Sequence, residues 1–177
     1  QSLSSAASDV YKRQTMKDYG FIFKDDEEIK KKAKVISELT KDVSEYLSES
    51  IKLNFKAKEK KYKIAYHSAC SMQHGQKVHD QPVSLLNKTK NEIMEIPEGH
   101  ICCGSAGTYN ILQTEIAKEL LSKKVKNIES LEPDFISTGN IGCITQISIG
   151  TKTPILHTIE ILDWYTGGPK PKILQKN

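Results

Sequence analysis

Cys70, Cys102, Cys103 and Cys143 are the four cysteines of the chain, and their spacing is C-x31-CC-x39-C. Thiolates are soft ligands, and a group of four suits an iron–sulfur cluster or zinc. Thiols spread over 74 residues meet only if a folded core brings them together. Adjacent side chains such as Cys102 and Cys103 point in different directions in most backbones. Both therefore do not easily ligate one zinc ion, whereas two metals bridged by sulfide use both more readily. Gly104, Gly107, Gly139 and Gly142 leave the backbone bare beside the thiols. A bulky cluster needs that close approach, with amides free to donate to sulfur.

The residues alone leave three readings open. One is a metal or cluster site at all four cysteines. A second is buried or redox-active thiols, since a free cysteine often behaves as a small apolar residue. The third is a pair of disulfides. Five histidines, His67, His74, His79, His100 and His157, lie near the cysteines or at the last strand. Each is a metal ligand or proton relay by type, and more often a structural side chain. His67 and His74 are the best placed to orient a ligand by hydrogen bonding. Gln146 stands where a closing CxxC motif would carry its second thiol, and its amide is placed to hydrogen-bond near the site. No Ser-His-Asp order, phosphate loop or paired-carboxylate signal stands out.

The elements that must position these residues alternate. Residues 25–50 repeat Ile29, Ala33, Ile36, Leu39, Val43 and Leu47 at helical spacing, with acids in the first turn. One face of this helix is expected to cover a sheet. Strands are expected at residues 62–66, 91–96, 135–138 and 153–158. A short helix from Pro82 and a long helix over residues 110–128 separate them. The long helix presents Ile111, Leu112, Ile116, Leu120 and Leu121 as its apolar face. Another short helix covers residues 141–149. This order predicts a three-layer α/β fold with a largely parallel sheet. Each cysteine segment then lies just beyond a strand's carboxyl end, the edge where ligands gather in open α/β sheets.

Composition narrows the function classes. Apolar residues make up 37% and charged residues 27% of 177, as in a globular domain. The net charge of +4 comes from 25 lysines and a single arginine, Arg13, set against the acids. Nucleic-acid recognition favours the forked arginine donor set, so this balance argues against it. The lysine-rich stretch before the first strand reads as a solvated surface. No apolar run approaches the roughly 20 residues that span a bilayer. Residues 1–14, QSLSSAASDVYKRQ, read as a non-native or disordered leader, and residues 15–177 as a single domain. Nothing in the leader has a secretory pattern, which favours reduced thiols.

The segments AYHSACSMQHGQKV, HICCGSAGTYNILQ, PDFISTGNIGCITQI and PILHTIEILDWYTGG resemble the second cysteine-rich (CCG) domain of the glycolate oxidase iron–sulfur subunit family. Heterodisulfide reductases and lactate-utilisation proteins carry similar domains. The resemblance implies an electron-transfer subunit of an oxidoreductase complex, passing electrons from a flavin-containing subunit toward a quinone-like acceptor. It implies a cytoplasmic location, with peripheral association at the inner face of the membrane through the complex. Carried over by motif, Cys70, Cys102, Cys103 and Cys143 bind the cofactor, a 4Fe–4S or related iron–sulfur cluster, with zinc as the alternative. No residue is assigned as catalytic. The family's N-terminal ferredoxin-like part and first CCG domain are expected as partners, and the chain alone is not expected to be active. Without those partners, an exposed apolar surface is expected around Tyr19, Phe21 and Phe23 and near the cysteine edge. The family pattern closes with CxxC, whereas this chain has Cys143 and Gln146.

Overall fold

Apolar residues of β-branched or aromatic type cluster in four short runs, and these form the sheet. The computed structural model describes residues 10–50 and 52–175. The strands are β1 (Lys63–His67), β2 (Glu92–Glu95), β3 (Phe135–Thr138) and β4 (Ile155–His157), in the order β2-β1-β3-β4. Every pairing is parallel, with Ala65 opposite Met94 on one side and Ile136 on the other. β1 and β3 are buried almost throughout, as central parallel strands must be.

Helices cover both faces, so the expected three-layer α/β fold with a parallel sheet is the observed one. Period-two alternation along β1 divides the core. Ala65 packs with Met72, Leu121, Val125, Ile128, Ile136 and Ile147 on one face. Ile64 and Tyr66 pack with Leu85, Leu86, Phe135, Ile161, Trp164 and Tyr165 on the other. The first face is closed by α7 (Thr114–Glu129) and α8 (Ile141–Ser148), the second by α5 (Asp80–Asn87) and α9 (Thr158–Thr166). The chain runs outward from β1 to β2, then returns across β1 to β3. The sheet's switch point therefore lies between β1 and β3.

Two expected helices are broken. The helix over residues 25–50 divides into α3 (Lys30–Leu39) and α4 (Val43–Ser50). The break is a capping box. Asp42 accepts from the N–H and hydroxyl of Ser44 at 2.9 and 2.7 Å, and Glu45 accepts back from the Asp42 N–H at 2.6 Å. The acids expected in the first turn precede α3, where Asp26 accepts from the N–H groups of Glu28 and Ile29. Ala33 alone of the proposed α3 face is buried, and Leu39 is 75% exposed. The helix over residues 110–128 divides at Gln113 into α6 (Tyr109–Leu112) and α7. Its buried stripe is Ala117, Leu121, Lys124, Val125 and Ile128. Ile111 and Leu112 are each 74% exposed and Ile116 is 48% exposed. This segment carries apolar residues on two faces, and the sheet takes the other one.

The amino-terminal helices α1 (Val10–Lys17) and α2 (Tyr19–Ile22) pack on α3 and on a π-helical segment, Ser71–Gln76. Arg13 pairs with the buried Asp42 at 2.8 Å. Residues 1–9 of the expected leader lie outside the described residues. Of the three rings expected to be exposed, Phe21 is 72% exposed, while Tyr19 and Phe23 are half-buried and meet edge to face at 5.6 Å. Between Cys103 and Cys143 in the chain, the large apolar residues exposed among those described are Ile111, Leu112, Ile116 and Ile141.

Candidate metal centre

Three strands deliver the cysteines to one edge. Cys70 follows β1 and opens the π-helical turn, a rare local form that recurs at functional sites. Lys77 ends that turn in the left-handed region, at φ 57°. Cys102 and Cys103 lie in the loop between β2 and α6. Cys143 lies in the first turn of α8, where the Asn140 side chain accepts from the Cys143 N–H at 3.1 Å. Asparagine is among the best N-cap residues, and the helix amino terminus favours negative charge at Cys143.

All four cysteines are free thiols; Cys103 and Cys143 are buried, Cys70 and Cys102 half-buried. Their side chains follow one another as a chain of neighbours: Cys70 beside Cys102, Cys102 beside Cys103, Cys103 beside Cys143. The chain fixes their proton affinities in alternation. Hydrogen bonds from Cys103 and Cys70 push the Cys102 thiol well below its ordinary range, helped by the Gly104 N–H at 3.3 Å. A hydrogen bond from Cys103 and the neighbouring His67 push Cys143 down against its burial. Cys70 is raised by its bond to Cys102 and by burial. Cys103 is raised by its bonds to Cys102 and Cys143 and by burial.

His67 ends β1 and joins this group. One ring nitrogen and the sulfurs of Cys103 and Cys143 lie within 4.8 Å of one another, and all three residues are buried. Neither ring nitrogen of His67 has an aligned hydrogen-bond partner, so its contact with Cys143 is one of proximity. Ser71 Oγ, Thr138 Oγ1, Asn140 Nδ2 and Asn110 Oδ1 are likewise buried and unpartnered, and all belong to segments that flank the thiols. Buried polar atoms are normally paired. Their concentration at one edge, beside four thiols, fits an additional group bound there.

The other histidines are not gathered. His74 is exposed on the π-helical turn, which removes it as an orienting group. His79 and His100 are exposed at the rim of a cleft of about 950 Å³ that reaches His67 past Ser68, Gln73 and Met94. His157 caps α9, its Nδ1 accepting from the Ile159 N–H at 3.2 Å. Gln146 is buried one turn after Cys143 and accepts from Asn110 at 3.1 Å, fastening α6 to α8. The glycines serve protein–protein approach more than cluster approach. A Cβ on Gly104 would lie 2.4 Å from the Ala117 carbonyl, one on Gly142 2.9 Å from Ser105 Oγ, and one on Gly139 3.1 Å from Met72 Sδ.

This cysteine-bearing sheet edge agrees with comparison to known proteins. Residues 64–148 match the model of the family described as CCG, cysteine-rich domain. Residues 64–148 form a CCG cysteine-rich domain. The chain is homologous to the glycolate oxidase iron-sulfur subunit of Escherichia coli (strain K12), at 35% identity over 148 residues. That alignment covers 84% of this chain and 36% of the relative. Lactate utilization protein A of Anoxybacillus flavithermus is 28% identical over 153 residues, covering 83% of this chain and 64% of the relative. The protein of that name from Geobacillus kaustophilus is 27% identical over 154 residues, covering 84% and 64%. The chain thus spans about a third of the Escherichia coli protein and less than two thirds of the other two. Among the described residues, no helix is long and apolar enough to cross a membrane.

Proposed function

We propose that the chain is the cluster-bearing part of an electron-transfer subunit in a glycolate-oxidising dehydrogenase. Cys70, Cys102, Cys103 and Cys143 hold an iron–sulfur cluster, 4Fe–4S or a related form, with His67 beside it. The observation that carries the reading is the chain of sulfur contacts from Cys70 to Cys143 at the sheet's switch point. When bound, the cluster accepts and returns single electrons. The protein holds the thiolates, donates the Gly104 N–H to sulfur and keeps bulk water from Cys103 and Cys143.

On this reading residues 15–177 form one CCG unit, and residues 1–14 are a leader whose Arg13 pairs with Asp42 of that unit. Electrons arrive from a flavin-containing subunit and leave toward a quinone-like acceptor. A ferredoxin-like part and a companion CCG domain complete the subunit, and the exposed Ile111, Leu112, Ile116 and Ile141 face them. The complex works in the cytoplasm, at the inner face of the membrane. The similarity to lactate utilization protein A favours a second substrate of the same class, lactate or another 2-hydroxy acid. The His67–Cys103–Cys143 triad favours a second occupant, zinc, in a domain that docks other components of the complex.

The test is anaerobic reconstitution of the complete chain with iron and sulfide. The expected outcome is a brown protein with charge-transfer absorption and iron and sulfide in matching amounts. Colourless protein that retains zinc and excludes iron supports the docking reading instead.

A further inference from the structure

We infer that His67 is a direct ligand at the sulfur site, one of its imidazole nitrogens bonding an iron that the cysteines also hold. The inference rests on the reading that the four cysteines bind an iron–sulfur cluster. His67 is the last residue of β1, a strand paired on both sides. Side chains two apart along a strand share a face. His67 therefore points to the same face as Ala65, which belongs to the core cluster that includes Cys103 and Cys143. Thr138 of β3 pairs with His67 in register and leads through Gly139 to Asn140, the cap of the helix that carries Cys143. A central strand thus delivers the ring to the two buried sulfurs.

The ring is 1% exposed. A neutral imidazole offers one donor and one acceptor, and buried polar atoms are normally paired. Neither Nδ1 nor Nε2 of His67 has a hydrogen-bond partner among the described residues. One of them lies instead with the sulfurs of Cys103 and Cys143 in a group no wider than 4.8 Å. With bonds of about 2.1 Å to imidazole and about 2.3 Å to thiolate, donors on one tetrahedral metal stand roughly 3.6 Å apart. The three atoms are gathered at the scale of a single metal ion. Other donors do not compete for the place. His74, His79 and His100 are exposed, and His157 is engaged in the α9 cap. Gln146, where a closing CxxC would carry a further thiol, accepts from Asn110 at 3.1 Å. A neutral imidazole in place of a thiolate leaves the cluster less negative and raises its potential.

The test labels the histidines with nitrogen-15, reconstitutes the chain with iron and sulfide, and reads the reduced protein by electron spin-echo envelope modulation. The expected result is a strong coupling to nitrogen-15 in the wild-type chain, lost in H67A. H67C supplies a thiolate from the same position. It should retain the cluster, lack the coupling and show a fall of about tenfold in the ratio of reduced to oxidised cluster at fixed potential. That corresponds to a shift of about 59 mV to more negative potential for a one-electron couple. Folded H67A that fails to assemble the cluster, with assembly restored in H67C, supports the same role. A coupling that persists in folded H67A overturns it. Where neither variant folds, by circular dichroism, the wild-type coupling decides alone, because the other four histidines are exposed or engaged in the α9 cap. Brown wild-type protein without a histidine coupling overturns the inference and leaves the cluster reading in place. A wild-type chain that takes up no iron and sulfide overturns the cluster reading and this inference with it, before any label is read.

Discussion

Gly104→Ala tests how the loop carrying the cysteine pair is held against α7. Gly104 has φ +90°, a backbone state that costs a side-chain-bearing residue about 1–2 kcal/mol. Its missing Cβ position lies 2.4 Å from the Ala117 carbonyl oxygen and 3.2 Å from the carbonyl carbon. Ala117 is 2% exposed on a helix packed against the sheet, so it cannot move aside freely. Overpacking of this kind adds about 1–3 kcal/mol. The sum is about 3 kcal/mol, or roughly 6–12 °C in melting temperature for a chain of this size. Gly107 is the internal control. Its φ is +66°, but nothing lies within 4 Å of the Cβ position, so Gly107→Ala carries only the backbone cost, about 1–2 kcal/mol. Urea unfolding of the two variants, followed by circular dichroism, measures the difference. The Gly104 variant should also retain less metal, because its loop cannot keep Cys102 beside Cys70. Equal destabilisation of the two variants would refute the claim that close approach to α7 holds the loop.

The remaining predictions concern the thiols and the cap of α9. If the proposed function holds, Cys102→Ser or Cys103→Ser should lower iron content in the reconstituted chain and slow glycolate-dependent acceptor reduction once the flavin and companion parts are supplied; unchanged iron and turnover in both variants would remove the pair from the proposed mechanism. His157 is held below its ordinary range by burial, against a backbone hydrogen bond at Gly139 that works the other way. A depressed folded-state value means that its contribution is present above the unfolded value of about 6.5 and is lost as pH falls through the folded one. His157→Asn keeps a good cap for α9 while removing the titration, so it should flatten the decline of stability on acidification below about pH 6.5. Parallel wild-type and variant curves in chemical denaturation at several pH values would count against this.

The strands are legible in the sequence because each is a short apolar run bounded by turn residues, and residues 135–138 coincide with β3. Placing each cysteine after a strand follows from that alternation. The breaks are harder to read. The sequence DVSE at residues 42–45 is a capping signal, and an unbroken run of helix formers around it hides the boundary. At Gln113 no glycine or proline marks the break between α6 and α7. Two competing apolar stripes in one helical segment cannot be ranked until the sheet chooses one, so periodicity alone puts Ile111 and Leu112 on the wrong side. The π-helical turn after Cys70 leaves no compositional trace. His67 stands out in the sequence as an orienting group, but its place within 4.8 Å of two sulfurs depends on strand register, which pairs it with Thr138. Lys124 escapes a reading of the sequence because a lysine among lysines reads as surface. The one signal is its place at the apolar positions of the stripe, three residues after Leu121 and four before Ile128.

The position of the sulfur site follows from the order of the strands. β1 and β3 are adjacent, but the chain leaves β1 for β2 and crosses back before forming β3. Loops at the carboxyl ends therefore diverge on either side of the β1–β3 pair, and the gap between them must be lined by side chains. The turn after β1, the loop after β2 and the first turn of α8 after β3 each bring cysteine to that gap. The middle segment brings two. The two sulfurs are neighbours and each has one further neighbour, so one loop serves two partners: Cys102 lies beside Cys70, and Cys103 beside Cys143. The adjacent pair is thus the bridge between the β1 and β3 sides of the site. Separating the pair by one residue would draw the two sulfurs apart along the loop and break the sulfur chain at its middle. An alanine inserted between Cys102 and Cys103 should therefore abolish iron retention in a chain that still folds by circular dichroism. Wild-type iron content in that insertion variant would show that the two thiols need not be adjacent.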